Sequence, residues 1–462
     1  MTKQVNAANR LDRLPMGAFQ WRILSLIGLG MFFDGFDNQM AAGVLGALVK
    51  EGWSTMEMNA HYISITFAGL AVGALMTGLL GDRFGRRFAY QFNLLIFGSM
   101  CLCSMFAPSM TWLTGLRFVM GIGIGAEYVC GYGMVSEFVP PQRRGWALGL
   151  ISVVSMASTF AVNFIGLFVI PALGWRPMYL IGGLGALWVW FLRRKLPESP
   201  RWLESRGRYE EAEKIMQEIE AEASKAGPLP PVKAAVATAP VWVPISVLFS
   251  RAVIARTLLA MAVCITCLVG SYSFSYWVPT FFVKQGMSVT KSLGFATVMA
   301  LGSSLGPLVG MLTSDWIGRR RGTLLASLWC GVFALAYSQQ TDPTWVLVFG
   351  FLLQGGMSLM IGFGLGGYTP ELFATEYRFR GSGIAQMTGR IAVIGSPYVV
   401  VSLYDAYGLP SVLYAIAALY LALALGVLLF GIETNQRSLE SIAPGRDGNM
   451  PEAAPGPAES TA

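Results

Sequence analysis

The sequence has little charge for its length. Only 13% of its 462 residues are Asp, Glu, Lys or Arg, and 54% are hydrophobic, whereas a soluble domain has about 25% charged residues. This composition excludes a water-soluble enzyme of ordinary design. It also excludes an intrinsically disordered chain, which has too little apolar surface to collapse. We therefore expect an integral membrane protein.

The chain also lacks the residues that several kinds of chemistry require. His61 is the only histidine, which excludes His-based metal sites and Ser-His hydrolase chemistry. The six cysteines all fall inside apolar runs, where such side chains pack as small hydrophobic groups. The motif Gly-x-x-x-x-Gly-Lys-Ser/Thr does not occur, so the sequence gives no indication of ATP-driven chemistry. We predict no metal, no cofactor and no enzymatic activity, and we expect carboxylates to carry any proton chemistry.

Long apolar runs dominate what is present. A bilayer core about 30 Å thick requires about 20 apolar residues per helix. Twelve runs satisfy this condition, at approximately 20–48, 61–80, 88–107, 111–137, 146–171, 176–196, 256–282, 290–314, 322–340, 344–369, 381–404 and 409–431. They predict an all-α membrane protein with twelve transmembrane helices.

The runs divide into two groups of six. We predict a first six-helix bundle over 1–196 and a second over 256–431, joined by a cytoplasmic linker loop over 197–255. Within this loop, Tyr209 to Ala223 is typical of a short amphipathic helix. The tail over 432–462 is rich in Pro, Ala and Gly, so we expect a disordered cytoplasmic tail.

The basic residues indicate an orientation in the membrane. The net charge of +7 does not indicate nucleic-acid binding, because the 33 basic residues lie at the ends of apolar runs and not on one stripe. Among the short loops, those on the side of the amino terminus hold Arg83, Arg86, Arg87, Arg143, Arg144, Arg319, Arg320, Arg321, Arg378 and Arg380, whereas the opposite loops hold chiefly Lys50, Arg176, Lys284 and Lys291. The positive-inside rule therefore predicts that both termini are cytoplasmic.

The two groups of runs repeat in sequence. The segment Gly-Asp-Arg-Phe-Gly-Arg-Arg at 81–87 recurs 233 residues later as Ser-Asp-Trp-Ile-Gly-Arg-Arg at 314–320. Glu137 with Arg144 recurs 234 and 236 residues later as Glu371 with Arg380. The repeat predicts two pseudo-symmetric bundles with a binding site between them near the bilayer midplane.

These motifs resemble the major facilitator superfamily, from Trp21 to Asn435. The resemblance rests on Asp82-Arg83-x-Gly85-Arg86-Arg87, on Arg117-x-x-x-Gly121-x-Gly123-x-Gly125, and on Pro197-Glu198-Ser199-Pro200-Arg201-Trp202. Asp34-Gly35-Phe36-Asp37 resembles the signature of the aromatic acid:proton symporters. Other segments are similar to the bacterial niacin transporters and the synaptic vesicle glycoprotein 2 group, namely Glu371-Leu372-Phe373, Arg380-Gly381-Ser382-Gly383 and Glu433-Thr434.

The resemblance implies a proton-coupled symporter that works by alternating access in the cytoplasmic (inner) membrane. Its partners would be the lipid bilayer, a proton and a small organic anion, such as nicotinate or a hydroxybenzoate, and we expect a monomer that binds no nucleic acid. Three alternatives remain open: a sugar or polyol:proton symporter, a drug:proton antiporter, and a membrane sensor that does not transport.

Five charged side chains lie inside the predicted membrane helices: Asp34, Asp37, Arg117, Glu127 and Arg390. Each costs about 2.5 to 3.5 kcal/mol at a helix centre, so each requires a partner or a cavity. At 1.5 Å per residue, Glu127 and Arg390 lie roughly 15 Å from the cytoplasmic ends, and Asp37 and Arg117 roughly 25 to 30 Å. We predict that Asp34, Asp37, Arg117 and Glu127 take part in proton coupling. The alternative for Asp37 and Arg117 is a fixed structural pair.

Arg390 is the predicted anchor for a substrate carboxylate, because a guanidinium stays charged and binds carboxylate through two parallel hydrogen bonds. The alternative is a permanent salt bridge to Glu127 or Asp34. Further candidates for contact with the substrate are Glu127, Tyr272, Tyr276, Trp277, Tyr368, Gln386 and Asn163.

The loop motifs predict a gating network that holds the two bundles together on the cytoplasmic side. Topology alone does not explain why an acid is repeated at Asp82 and Asp315. The predicted network comprises Asp82, Arg83, Gly85, Arg86, Glu137, Arg144, Asp315, Gly318, Arg319, Glu371 and Arg380.

Overall fold

A computed structural model describes residues 5–225, 227–232, 245–251, 253–373 and 378–433. The first half contains a short amino-terminal helix and six long helices. They are α1 (Ala7–Asp12), α2 (Ala18–Lys50), α3 (Met56–Phe84), α4 (Arg86–Ser104), α5 (Met110–Phe138), α6 (Pro141–Leu173) and α7 (Arg176–Leu192). A 3₁₀ turn follows at Arg193–Lys195, and two helices lie in the linker, α8 (Pro200–Ser205) and α9 (Tyr209–Ser224).

The second half repeats this arrangement. Its α-helices are α10 (Ile254–Ser275), α11 (Val278–Lys284), α12 (Val289–Ile317), α13 (Arg319–Ser338), α14 (Pro343–Met360), α15 (Thr369–Glu371), α16 (Arg378–Tyr407) and α17 (Leu409–Phe430). A π-helix over Ile361–Tyr368 joins α14 to α15. Helices α10 and α11 together form the predicted seventh span, and α14 with the π-helix and α15 forms the tenth.

Helices cover all twelve predicted runs within the described ranges, and the predicted all-α fold is confirmed. In this part of the chain, seven spans are long and apolar enough to cross a membrane by length and composition. The remaining helices of each bundle complete the same two sets of six. The predicted tail over 432–462 lies outside the described residues after Glu433.

Two glycines make equivalent sharp turns in the two halves. Gly85 joins α3 to α4 with φ 103°, and Gly318 joins α12 to α13 with φ 85°. A side chain is strained at such angles, whereas glycine adopts them at no steric cost. The two glycines of the sequence repeat therefore make turns of the same backbone conformation.

The linker is more than a connecting loop. Helices α1, α8 and α9 pack together, and they share an apolar core with the beginning of α2. Glu204 accepts hydrogen bonds from the backbone N–H groups of Asn6, at 2.7 Å, and Ala7, at 2.8 Å. Arg10 pairs with Glu213 at 2.5 Å and with Glu220 at 2.7 Å. The amino terminus is thus fastened to the linker, on what we call the linker side of the molecule; the other end is the far side.

In the described part of the chain, the two halves meet mainly along three pairs of helices, α2 with α11, α3 with α16, and α6 with α12, and α2 also contacts α12. Several of their contacts lie toward the far side. The Ser64 hydroxyl donates to the Ile394 carbonyl at 2.7 Å, and the His61 ring hydrogen-bonds the Tyr398 hydroxyl at 3.0 Å. These contacts join the halves through neutral groups.

Candidate functional site

Asp37 and Arg117 form a buried ion pair inside the first half. Neither side chain is more than 1% exposed. Arg117 Nη1 donates to Asp37 Oδ2, and Nη2 donates to the Asp37 backbone carbonyl at 3.0 Å. The two residues therefore lie together, as their predicted depths required.

Polar groups surround this pair. The Cys101 thiol lies 3.6 Å from Asp37 Oδ1 and 3.2 Å from the Tyr179 carbonyl. The Tyr62 ring lies under the Arg117 guanidinium, with its centroid 5.5 Å away. A hydrogen bond of 2.9 Å joins the hydroxyls of Tyr62 and Tyr179. The charge of Asp37 is thus compensated by Arg117 within a polar shell.

Glu127 pairs with Arg193, a residue that the sequence interpretation missed. Arg193 Nη1 donates to Glu127 Oε1 at 2.5 Å, and both side chains are at most 1% exposed. The Tyr90 ring covers the guanidinium, with its centroid 3.9 Å from Arg193 Cζ. Glu127 was predicted to lie opposite Arg390 in the cavity. Its ion pair is instead made within the first half, because the end of α7 brings Arg193 against α5.

Helix α2 provides the space for Arg193. Its Nε donates to the Leu26 carbonyl at 2.9 Å, and its Nη2 donates to the Ile27 carbonyl at 3.2 Å. A Cβ on Gly30 would lie 1.7 Å from Arg193 Nη2 and 2.7 Å from Glu127 Oε1. Only glycine at position 30 leaves room for this guanidinium.

Asp34 lies one helical turn beyond Gly30 and is fully buried. Neither of its carboxyl oxygens has a hydrogen-bond partner among the described residues. It interacts electrostatically with Glu127, Arg193 and Asp37. Asp34, Glu127 and Arg193 therefore form one buried cluster, which we call the Asp34 cluster.

A charge count could have revealed Arg193. The first half was predicted to bury three acids, Asp34, Asp37 and Glu127, against the single base Arg117. Buried charges are normally paired, so a second cation was missing. The sequence interpretation assigned no role to Arg193, which lies in the run Arg193-Arg194-Lys195, yet this residue is 0% exposed.

The polar layer continues into the second half through Asn38. The Tyr276 hydroxyl donates to Asn38 Oδ1 at 2.5 Å, and Asn38 Nδ2 lies 3.4 Å from the Tyr272 hydroxyl. Phe67 packs on both tyrosines, with centroid distances of 4.5 Å to Tyr272 and 5.9 Å to Tyr276. An aromatic cluster therefore lies between the halves, next to the Asp37–Arg117 pair.

Arg390 lies on α16 and is half-buried. It interacts electrostatically with the Tyr272 hydroxyl and with Cys264 of α10. Gln386, one turn earlier on α16, is half-buried as well. The structure thus brings Arg390 to the aromatic cluster between the halves.

Two of the predicted aromatic contacts lie in other surroundings. Trp277 is 1% exposed and stacks on Phe281, with a centroid distance of 5.9 Å. Tyr368 lies near the linker side, where its hydroxyl accepts a hydrogen bond from the Ile432 N–H at 2.9 Å. Their contacts in the structure stabilise the second bundle.

Amide side chains line a small pocket between the halves. Gln39 comes from α2, Asn163 from α6 and Gln354 from α14. Asn163 Nδ2 donates to the Thr159 carbonyl at 2.7 Å, and Gln354 Nε2 donates to the Ser275 hydroxyl at 2.7 Å. Asn163 was predicted to lie near a substrate, whereas Gln39 was missed.

The loop motifs form ion pairs within each half. Arg86 Nε lies 3.5 Å from Glu137 Oε1, and Arg319 Nε lies 3.3 Å from Glu371 Oε1. Each of these pairs joins helices of one bundle, whereas the motifs were predicted to join the two bundles. Arg380 is half-buried at the beginning of α16. The predicted side chains of Asp82, Arg83, Arg144 and Asp315 lie outside the described part of the chain.

A second acid repeats between the halves, and the sequence interpretation did not assign it a role. Glu198 accepts hydrogen bonds from the backbone N–H groups of Arg86, at 2.9 Å, and Arg87, at 3.1 Å, at the beginning of α4. Burial raises the pKa of the Glu198 carboxyl, although these N–H groups oppose the shift. The equivalent Glu433 lies 3.1 Å from the position that a Cβ on Gly318 would take. In each half, a glutamate that follows the last membrane helix thus lies against the glycine turn that precedes the third membrane helix.

Comparison with known proteins identifies the family. The family model of the Major Facilitator Superfamily matches residues 27–337. The chain is 36% identical to the inner membrane metabolite transport protein YdjE of Escherichia coli, over 94% of this chain and 97% of that protein. It is 32% identical to the niacin transporter NiaP of Acinetobacter baylyi, over 95% and 100%. It is 28% identical to the 4-hydroxybenzoate transporter PcaK of Pseudomonas putida, over 84% and 86%.

The fold agrees with this assignment. A partially occluded inward-open structure of the xylose transporter XylE from Escherichia coli matches with a TM-score of 0.73 and 18% identity, over 90% of this chain and 100% of that chain. The twelve-helix architecture, the repeated motifs and the family match agree. The chain belongs to the major facilitator superfamily and is a membrane transporter, not an enzyme.

Proposed function

We propose that this transporter imports a small aromatic or heteroaromatic carboxylate together with a proton. The observation that carries the proposal is that Arg390, half-buried on α16, is close enough to Tyr272 of the aromatic cluster to interact electrostatically with its hydroxyl. A guanidinium there can bind a planar carboxylate through two hydrogen bonds, and the tyrosines and Phe67 offer ring surfaces for stacking. The names of NiaP and PcaK, both transporters of aromatic acids, support this substrate class.

The buried carboxylates of the first half support proton coupling. Asp37 lies next to Asn38, which contacts Tyr276 and Tyr272 of the second half. Polar side chains therefore extend from Asp37 through Asn38 to Tyr272, which interacts electrostatically with Arg390. Substrate binding at one end can alter the hydrogen bonds at the other, which is the coupling that symport requires.

The arrangement of the halves supports a state that is closed on the far side. Asn38 contacts Tyr276, Ser64 contacts Ile394, and Pro279 lies 3.4 Å from the position of a Cβ on Gly46. We assign the linker side to the cytoplasm, because the short loops there hold more basic residues than the short loops on the far side. Both termini are then cytoplasmic, and the structure is inward-facing.

Uptake into proteoliposomes under an imposed pH gradient tests this function. We expect accumulation of labelled nicotinate or 4-hydroxybenzoate with the interior alkaline, and its loss when a protonophore is added. A competition panel of benzoates, pyridine carboxylates, sugars and aliphatic acids distinguishes the substrate classes. Competition by sugars alone would favour the sugar symporter, and proton-driven export of cationic drugs the antiporter. Binding without flux would favour a sensor.

Substitution of Arg390 tests the anchor itself. Arg390→Ala should weaken binding by a charge-assisted contact of about 2 to 5 kcal/mol, which is roughly thirtyfold to several-thousandfold. Arg390→Lys keeps the positive charge but lacks the planar guanidinium that donates two parallel hydrogen bonds, so this variant should also bind the substrate more weakly. The amide analogue of the substrate should bind weakly and should be almost insensitive to Arg390→Ala. Equal binding of acid and amide to the unmodified protein would contradict the anchor.

A further inference from the structure

We propose that the Asp34 cluster stores the transported proton, that Asp34 carries it in this conformation, and that Arg193 positions it. The inference rests on the proposed proton-coupled function and assigns the proton to one site. Two independent observations lead to it: an excess of buried acid, and a carboxyl group without a hydrogen-bond partner in the described residues.

The charge count comes first. Arg193 stays protonated at any relevant pH, so the cluster is neutral when one of its two carboxyl groups is ionised. If both were ionised, one negative charge would be buried without compensation, which costs several kcal/mol. Arg117 cannot supply the missing charge, because it already donates to Asp37. The cluster therefore holds one proton.

The hydrogen bonds place this proton. Arg193 donates to Glu127 Oε1 at 2.5 Å, and a charge-assisted bond favours the ionised form of its acceptor. Asp34 receives no such bond in the described part of the chain. Glu127 is thus the anion, and Asp34 is the neutral acid.

The groups that face Asp34 come from every helix around it. Glu127 lies on α5, Arg193 follows α7, Tyr90 lies on α4, and Asp37 lies on α2 itself. The serines of α6 that pack on Gly35, Ser155 and Ser158, carry no charge. Arg193 is therefore the cation within the cluster, and its movement between Glu127 and Asp34 would transfer the proton from one acid to the other.

Helix α2 connects the cluster to the second half. Asn38 lies one turn beyond Asp34 on the same face of the helix, and it accepts the hydrogen bond from Tyr276 at 2.5 Å. When the halves separate on the far side, this bond breaks and the face that carries Asp34 gains access to water. Asp34 can then exchange its proton on one side of the membrane only.

Infrared difference spectroscopy on the purified full-length protein, without any substrate, tests how many protons the Asp34 cluster holds. The C=O stretch of a buried neutral carboxyl group, identified by its shift in D₂O, reports the stored proton directly. We expect one such group in the unmodified protein at neutral pH. Asp34→Asn should remove its band. Glu127→Gln should remove it as well, because Asp34 then pairs with Arg193 as an anion.

Substitution of the cation Arg193 should increase the intensity of this band, whereas the substitutions of the acids remove it. Arg193→Gln should double the band, since both acids must then be neutral, whereas Arg193→Lys should leave one. Glu51→Gln, at an exposed position on α2's end, is the matched control and should change nothing. If Asp34→Asn does not fold, Glu127→Gln and Arg193→Gln still show how many neutral carboxyl groups the cluster contains.

Three results would overturn the proposal: no buried neutral carboxyl in the unmodified protein, a band that survives Asp34→Asn but disappears in Asp37→Asn, or an unchanged band in Arg193→Gln. The transport assay separates this proposal from the function. Asp34→Asn should keep substrate exchange and lose accumulation driven by a pH gradient. A band that depends on Asp34, in a protein without proton-driven uptake, would support the stored proton and contradict symport.

Discussion

Replacement of Gly30 by alanine tests whether Arg193 occupies its place against α2. The added Cβ would lie 1.7 Å from Arg193 Nη2 and 2.4 Å from Cζ, so the guanidinium must leave. It would lose its hydrogen bonds to the Leu26 and Ile27 carbonyls, and its pair with Glu127 would be broken. The change therefore acts on the ion pair through a residue that carries no charge.

The magnitude follows from two opposing effects. Breaking a buried ion pair costs about 3 to 5 kcal/mol, whereas alanine is more favourable than glycine in a helix by about 1 kcal/mol. We expect Gly30→Ala to lower the free energy of unfolding by about 2 to 4 kcal/mol and to abolish accumulation driven by a pH gradient.

Gly28→Ala is the matched control on the same helix. Its Cβ would meet Val154 Cγ1 at 3.8 Å and Ile151 Cδ1 at 3.9 Å, which are ordinary contacts. This variant should be as stable as the unmodified protein or slightly more so. Thermal melting of both purified variants, followed by tryptophan fluorescence, measures the difference. Equal melting temperatures for Gly28→Ala and Gly30→Ala would refute the position of Arg193.

Three further predictions concern other contacts. Arg117→Gln should lower the free energy of unfolding by about 3 to 5 kcal/mol, because it leaves Asp37 buried without its cation. Adding Asp37→Asn to this variant should restore part of the loss. If the two substitutions have additive effects on thermal melting, the ion pair between Asp37 and Arg117 is contradicted. Tyr276→Phe removes a hydrogen bond between the halves worth about 1 kcal/mol, so cysteines placed on the far side should label faster, and unchanged labelling would contradict that contact. The hydrogen bond from Arg10 lowers the pKa of the Glu213 carboxyl below its ordinary 4.5. The attachment of α1 to α9 should therefore be complete above pH 4.5 and should be lost as the pH falls through the lowered pKa. Limited proteolysis of the amino terminus as a function of pH measures this loss.

The sequence predicted the fold because membrane helices can be identified by the length and hydropathy of their apolar runs. The rise of a helix also placed Asp37 and Arg117 at a similar depth, and the cost of a buried charge indicated that each requires a partner. A fixed pair of these two residues was one of the two interpretations, and the structure shows them paired.

The charge count shows that the first half lacks a cation, but it does not say which residue supplies it. Arg193 lies at the end of a run, where basic residues are common for reasons of topology, and the packing of α7 on α2 turns it inward. The charges of the motif loops have partners on both bundles that are equally plausible in sequence. The described pairs of Arg86 and Arg319 lie within one bundle each, and the gating network between the bundles stays a prediction.

The ion pairs named above lie within one half or join α1 to the linker. The contacts between the halves that we describe include hydrogen bonds of neutral groups, such as Tyr276 with Asn38 and Ser64 with Ile394. A neutral hydrogen bond contributes only about 1 kcal/mol net, because water replaces it readily. Separating the halves at these contacts therefore costs little free energy. A molecule whose halves are joined there by such bonds can open on that side without breaking a buried ion pair among those named above.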